Sequence, residues 1–136
     1  MTCVLWALGT VFDPPAFLAE SSFKPGSTYR KGDLLFPSRP DTQVAPSSGF
    51  TVAVSSAGFD DLDGQIRDAI AFLDEHEDEL RRLGSFMGVE MVCLNFGVRR
   101  TDGAVQTVRF PAELLWRAGA LDIELAITHY RIAEPS

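Results

Sequence analysis

A chain of 136 residues has the length of a single domain, and at this size folding removes roughly two-thirds of the surface the unfolded chain exposes, so a core forms without disulfide or metal staples. Apolar residues make up 46% of the chain, with ten phenylalanines, which excludes disorder, and no apolar run approaches the about 18 residues that cross a bilayer. The net charge of −7 sits in one stretch: between Asp60 and Glu79 nine acids face only Arg67, giving −8 there and +1 elsewhere, a field that repels nucleic acid and suits a basic protein surface.

In chain order, CVLWALGTVF from Cys3 to Phe12 reads as a strand apolar on both faces and therefore as an inner one. No Lys or Arg precedes it and Asp13-Pro14-Pro15 ends it, so a secretory signal is not expected and the cytoplasm is the expected compartment. The prolines open a short helix over Ala16 to Ala19. Residues 21–49 are rich in Pro, Gly and Ser and read as one long loop within a single domain spanning 1–136. FTVAVS, Phe50 to Ser55, alternates as a second strand with Phe50, Val52 and Val54 on one face.

A single long helix is expected from Leu62 to Leu83, with aspartates at its start and Gly84 after its end. VEMVCLNFGV, Val89 to Val98, is apolar on both faces and reads as another inner strand. Asp102-Gly103 signals a hairpin turn, with AVQTVRF returning as a short strand. Pro111 opens a helix that Gly119 stops. LDIELAITHY then forms a last strand, with Leu121, Ile123, Leu125 and Ile127 inward and Asp122, Glu124 and Thr128 outward. Cys3 and Cys93 fall inside strands without metal spacing and read as buried free thiols. These elements predict an α+β two-layer sandwich: a mostly antiparallel four- to five-stranded sheet, ferredoxin-like in character, with one long and two short helices on one face.

Two segments, FDPPAFLAESSFKPGSTYRKGD and FPAELLWRAGALDIELAITHY, carry a resemblance. Their Phe-Asp-Pro turn, the proline followed by Lys-Gly, and the Pro-x-x-Leu-Leu helix before Leu-Asp-Ile resemble the two ends of a bacterial family known as domain of unknown function four-two-seven-nine. The long helix and its following strand fit between them, so the resemblance spans nearly the whole chain. It implies a small α+β domain and transfers no activity and no catalytic residues. The chain departs from that pattern in the Pro/Ser-rich stretch Ser38 to Gly49.

The stretch FLDEHEDELRRL sets His76 among five carboxylates. On a helical wheel His76 falls on the apolar arc with Phe72, Leu73 and Leu80, and only Glu79 at i+3 could share a metal with it. The zinc-protease pattern needs a second histidine at i+4, where Leu80 stands, so His76 reads as a packed, hydrogen-bonded core residue and no metal or cofactor is expected. Asp74, Glu75, Asp78 and Glu79 form an acidic face that is either a solvated surface or the landing site of a basic partner. Glu77–Arg81 and Asp78–Arg82 stand at i,i+4 in the favourable order.

In KPGSTYRKGD, Gly26 and Gly32 enclose five residues where a phosphate loop needs four, and Asp33 follows. That leaves Lys24, Tyr29, Arg30 and Lys31 as a candidate basic and aromatic contact for an anion or ligand. His129 alternates with the inward Ile127 and is expected to be buried, with no nucleophile tied to it by a motif. Arg99, Arg100 and Arg109 could meet across the expected hairpin as a weak basic spot. The favoured reading is a non-enzymatic interaction domain docking a basic protein through the acidic helix face, for example as an immunity or antitoxin-type protein, with no nucleic-acid or membrane partner. An enzyme or small-molecule site under the 21–49 loop, using His129, Tyr29 or Arg30, is the alternative. Self-assembly as a homodimer through an exposed strand edge is a third.

Overall fold

The computed structural model describes residues 1–34, 43–100 and 105–131. Five strands form one sheet, β1 (Cys3–Gly9), β2 (Pro25–Tyr29), β3 (Ser48–Ser55), β4 (Met91–Arg99) and β5 (Glu124–Tyr130), in the order β2-β3-β1-β4-β5. Neighbours from β2 to β4 run antiparallel, whereas β4 and β5 run parallel from Cys93↔Glu124 to Arg99↔Tyr130. A parallel pair requires a crossover, and the helix α4 (Ala112–Ala120) supplies it. With α1 (Pro14–Leu18), α2 (Leu62–Glu75) and α3 (Glu77–Gly84), four helices are seen among the described residues. The α+β two-layer class and the mainly antiparallel sheet follow the expectation.

The helices take up one face of the sheet. Prolines fill the first turn of α1 and Phe17 points inward. The Asp61 carboxylate accepts from the Gly64 N–H at 3.0 Å and starts α2, whose Ile66, Ala69 and Leu73 make its buried stripe. Leu80 and Leu83 of α3 and Leu114 and Ala118 of α4 add to it. Opposite them stand Leu5 and Ala7 of β1, Phe50 and Val52 of β3, and Leu94 and Phe96 of β4, all buried. An aromatic cluster seals one end: Phe17 stacks on Phe50 with centroids 5.8 Å apart and meets Phe86 edge-on at 5.3 Å.

Several expectations are corrected. The helix over 62–83 is two helices: His76 leaves the helical region at φ −110, ψ 23, and its ring lies against Phe72 and Phe23 at 4.6 and 5.3 Å. The break lets α3 turn so that Leu80 and Leu83 reach the core. The loop over 21–49 holds β2, an edge strand along β3, followed by an isolated bridge between Leu34 and Val44; residues 35–42 lie outside the described residues. Among residues 105–110 no strand forms, because the edge of β4 is occupied by β5, and the Asp102-Gly103 turn lies outside the described residues. His129 is exposed rather than buried, at the far end of the edge strand β5. The strand itself begins at Glu124, after a turn in which Asp122 takes φ 55.

One close approach fixes how α3 returns to β4. A side chain at Gly9 would collide with the carbonyl oxygen of Gly88, and Gly88 itself has φ +88 while lying against the Phe12 backbone. Only glycine fits that crossing at both positions.

Candidate functional site

Strand alternation puts Val4, Trp6 and Leu8 of β1 on the side away from the helices. Their registers align them with Ala53, Thr51 and Gly49 of β3 and with Asn95, Cys93 and Met91 of β4. β2 adds Tyr29 and Ser27, and β5 adds Ala126 and Thr128. Among the described residues no helix covers this side of the sheet, so the apolar second face of β1 and β4 has the composition of a covered surface without a helical cover among those residues. Trp6, at its centre, is 36% exposed. Beside it Met91, Cys93, Asn95, Ala126 and Thr128 line a shallow hollow of about 290 Å³.

Polar groups on this face are satisfied within it. The Trp6 indole N–H donates to the Tyr29 hydroxyl at 2.6 Å, Ser27 and Thr51 pair their hydroxyls at 2.9 Å, and Thr128 donates to the Asn95 amide oxygen at 2.9 Å. Burying such paired groups costs far less than burying free ones. The charged side chains that alternation puts on this face among the described strands stand at its margins: Glu124 at the β5 edge, and Arg99 at the end of β4, which is paired with Asp60 at 3.0 Å.

The acidic helix face is a different kind of surface. Asp74 accepts from Arg117 of α4 at 3.1 Å, Glu77 pairs with Arg81 at 2.7 Å, and Glu79 pairs with Arg82 at 3.1 Å. Arg82 therefore takes Glu79 rather than the i,i+4 partner Asp78, and it also lies 4.0 Å over the Phe17 ring and donates to the Phe17 and Glu20 carbonyls. Glu75 and Asp78 remain exposed, with His76 Nε2 4.0 Å from the Glu75 carboxylate. Together with Ser22 these residues rim a bay of about 330 Å³ at the helix break. Burial alone would raise the Glu79 pKa, but hydrogen bonds from Arg82 and Ser21 and the Arg82 charge outweigh it, so Glu79 sits below its ordinary value of 4.5. A depressed carboxylate stabilises the fold above its unfolded value and loses that contribution as pH falls through the folded one. Glu79→Gln is expected to cost under about 1 kcal/mol at neutral pH and to flatten the decline in melting temperature below pH 4.5; an unchanged acid limb in a pH series of thermal melts would refute the assignment.

The four residues of the proposed anion contact do not converge. Lys24 precedes β2 and Tyr29 ends it, a separation of roughly 16 Å along an extended strand. Arg30 and Lys31 lie in the turn beyond, where Asp33 accepts from the Arg30 N–H at 2.7 Å and Ser48 Oγ accepts from the Lys31 N–H at 2.8 Å. Tyr29 belongs instead to the uncovered face. Arg99 is paired with Asp60 at 3.0 Å and lines, with Asp61, Asp63 and Arg109, an open hollow of about 420 Å³ beside the start of α2, a surface of mixed charge.

Both thiols are free and buried, as expected. Burial, with Asp68 and Cys93 nearby, pushes Cys3 up to about 12, and burial followed by Glu124 raises Cys93. Neither is a thiolate at neutral pH, so neither is an activated nucleophile. Among the described residues no three His, Cys, Asp or Glu side chains are grouped to hold a metal ion, and no helix is long and apolar enough to cross a membrane.

What sequence reasoning missed is the role of Trp6, Met91, Asn95, Ala126 and Thr128 as one surface. The signal is the apolar character of both faces of β1 and β4, which identifies them as inner strands, as they are, without saying what covers the second face. Compared with known proteins, residues 1–131 match the family model described as Domain of unknown function (DUF4279). No curated protein and no solved structure matches the chain.

Proposed function

The chain belongs to the DUF4279 family, a domain of unknown function, and from that premise we propose that it is a non-enzymatic protein-interaction domain that docks through the uncovered face of its sheet. The observation that carries this reading is the Trp6-centred face, apolar, almost uncharged and internally hydrogen-bonded, with no helix over it among the described residues. Exposed apolar surfaces of this kind mark interaction sites, and tryptophan and tyrosine at the centre are the side chains that contribute most on burial. The raised thiols and the positions of His76, against Phe23 and Phe72, and of His129, exposed at a strand end, support a role without catalysis.

The acidic helix face carries less of the argument, because Asp74, Glu77 and Glu79 are already engaged by arginines of the same layer. The two surfaces are separable by substitution. Ala126→Arg places a charge on the uncovered face at an exposed position, and Glu75→Gln with Asp78→Asn neutralises two exposed acids of the helix face for which no arginine partner is seen among the described residues. In pull-downs from host lysate with mass spectrometry, the expected result is a specific set of proteins retained by wild type and by the neutralised variant and lost by Ala126→Arg. Loss on neutralisation alone, weakening with salt, would move the docking surface to α2 and α3 and identify a basic partner.

A further inference from the structure

Resting on the reading of the uncovered face as a docking surface, we infer that its occupant is a second copy of this chain, packed sheet to sheet about a two-fold axis. The first argument is charge. The chain carries −7, and nine of its acids lie between Asp60 and Glu79, on and beside α2 and α3. Those helices pack on the opposite side of the sheet, so a sheet-to-sheet pair turns the acidic surfaces outward. With sheet and helix layers about 10 Å thick, the two acidic surfaces then stand several Debye lengths of about 8 Å apart, where like charges are screened. An approach of two copies through α2 and α3 brings acid toward acid. Among the described strands the uncovered face holds charge only at its margins, Glu124 at one and the Asp60-paired Arg99 at another, so the centres of two such faces meet without facing charges.

Complementarity is the second argument. Because the indole of Trp6, the Ser27 and Thr51 hydroxyls and the Thr128 hydroxyl are paired within their own face, the face requires no matching donors and acceptors from its partner. It requires an apolar surface of the same shape and low charge. The face itself is one, and an isologous two-fold contact sets it against its own copy. Aligned sheet packing, with strands crossing at about 30° and layers about 10 Å apart, is the geometry that twisted sheets adopt.

Area is the third argument. The strands are five to nine residues long. At about 3.3 Å per residue and about 4.8 Å between strands, five strands of about seven residues span roughly 23 by 24 Å, and with the Gly97 end already under Phe59 and Tyr130 two such faces bury at most roughly 1,100 Å². That ceiling is close to the about 1,000 Å² of a specific interface and well below the about 2,000 Å² of obligate dimers, so the dimer is a weak, reversible one.

The test is the oligomeric state of the full chain by sedimentation velocity across the micromolar range, for wild type, Ala126→Arg and Trp6→Arg, with thermal melts of each. The expected result is a concentration-dependent dimer for wild type and a monomer for Ala126→Arg with an unchanged far-UV spectrum. Trp6→Arg gives the same monomer if it folds, and Ala126→Arg alone decides the matter if it does not. A dimer that survives Ala126→Arg places the contact elsewhere, on the β2 edge or the helices, and overturns the inference. A monomeric wild type also overturns it. In that case the docking reading still stands if the pull-down shows partners lost by Ala126→Arg, and falls with it if the variant and wild type retain the same proteins.

Discussion

Phe17→Ala is expected to lower the unfolding free energy by about 3–5 kcal/mol and the melting temperature by about 12–20 °C, taking roughly 4 °C per kcal/mol at this chain length. Phe17 is fully buried and is the point where α1, β3 and the segment after α3 meet. It stacks on Phe50 at 5.8 Å, receives the edge of Phe86 at 5.3 Å, and carries the Arg82 guanidinium 4.0 Å over its ring. Alanine leaves a cavity among these rings and removes the platform under Arg82, which also links α3 to the Phe17 and Glu20 carbonyls. The backbone bonds at those carbonyls remain available, so the α1 segment loosens before the sheet does. Far-UV melts of wild type, Phe17→Ala and Phe17→Leu check this. Leucine refills part of the space and should recover more than half of the loss; a loss below about 1 kcal/mol for alanine would mean that the cluster closes over the gap.

Gln65→Glu is the second large effect and differs in kind, because it depends on pH. Gln65 is completely buried at the start of α2, and its amide N–H groups donate to the Gly58 carbonyl at 3.1 Å and the Gly97 carbonyl at 2.7 Å, tying α2 to β4. Its Oε1 has no hydrogen-bond partner among the described residues. A glutamate here sets a carboxylate against two carbonyl oxygens with no cation beside it, a cost of about 3–5 kcal/mol when ionised. Burial and the carbonyls raise the folded-state pKa of the new acid above the about 4.3 of an unfolded glutamate. The sign follows from linkage: below pH 4 or so the acid is neutral in both states and the charge costs nothing, and the deficit grows as pH rises through the unfolded value until the raised folded value is passed. Denaturant titrations at pH 4 and pH 8 should therefore show a larger gap between wild type and Gln65→Glu at the higher pH. Gln65→Leu, which loses the two hydrogen bonds without adding a charge, should show a gap that does not change with pH. A pH-independent gap for the glutamate would mean that α2 shifts to let water reach residue 65.

The elements that sequence reasoning found are those whose own side chains record their burial. β1, β3 and β4 alternate or run apolar throughout, α4 follows its N-cap Pro111, and Leu121 and Ile123 are buried as expected, although they precede β5 rather than belong to it. β2 left no such record. As an edge strand its residues are exposed or nearly so, and Pro25, Gly26 and Ser27 read as loop; the strand exists because β3 offers it an open row of backbone groups. The split at His76 was equally hidden, since the apolar spacing from Ile66 to Leu83 continues through it. The cause is tertiary: His76 sits where Phe23 comes in from the β2 side. The expected strand over 105–110 lost its partner to β5, a competition between two segments that a single pass along the chain does not weigh.

The acidic face was legible as a face, and its charges were placed on the right side of the helices. Its internal neutralisation was only partly legible. Glu77–Arg81 follows from spacing within one helix, whereas Asp74–Arg117 joins residues 43 apart in sequence. The uncovered sheet face was written in the sequence as surplus apolar residues on the second side of β1 and β4. Composition states that such a face wants covering, but it does not state whether the cover comes from the same chain.

The position of β1 also bears on synthesis. It is the central strand, yet it precedes both neighbours in the chain, pairing with β3 some 45 residues later and with β4 some 85 residues later. During translation it therefore emerges with two unsatisfied edges and two apolar sides; β3 can close the first edge once it follows, and the second stays open until Met91 and the residues after it have left the ribosome. Any pause in elongation before β4 has cleared the ribosome prolongs the exposure of that edge, which ties the yield of folded protein to the speed at which the chain beyond β3 is made.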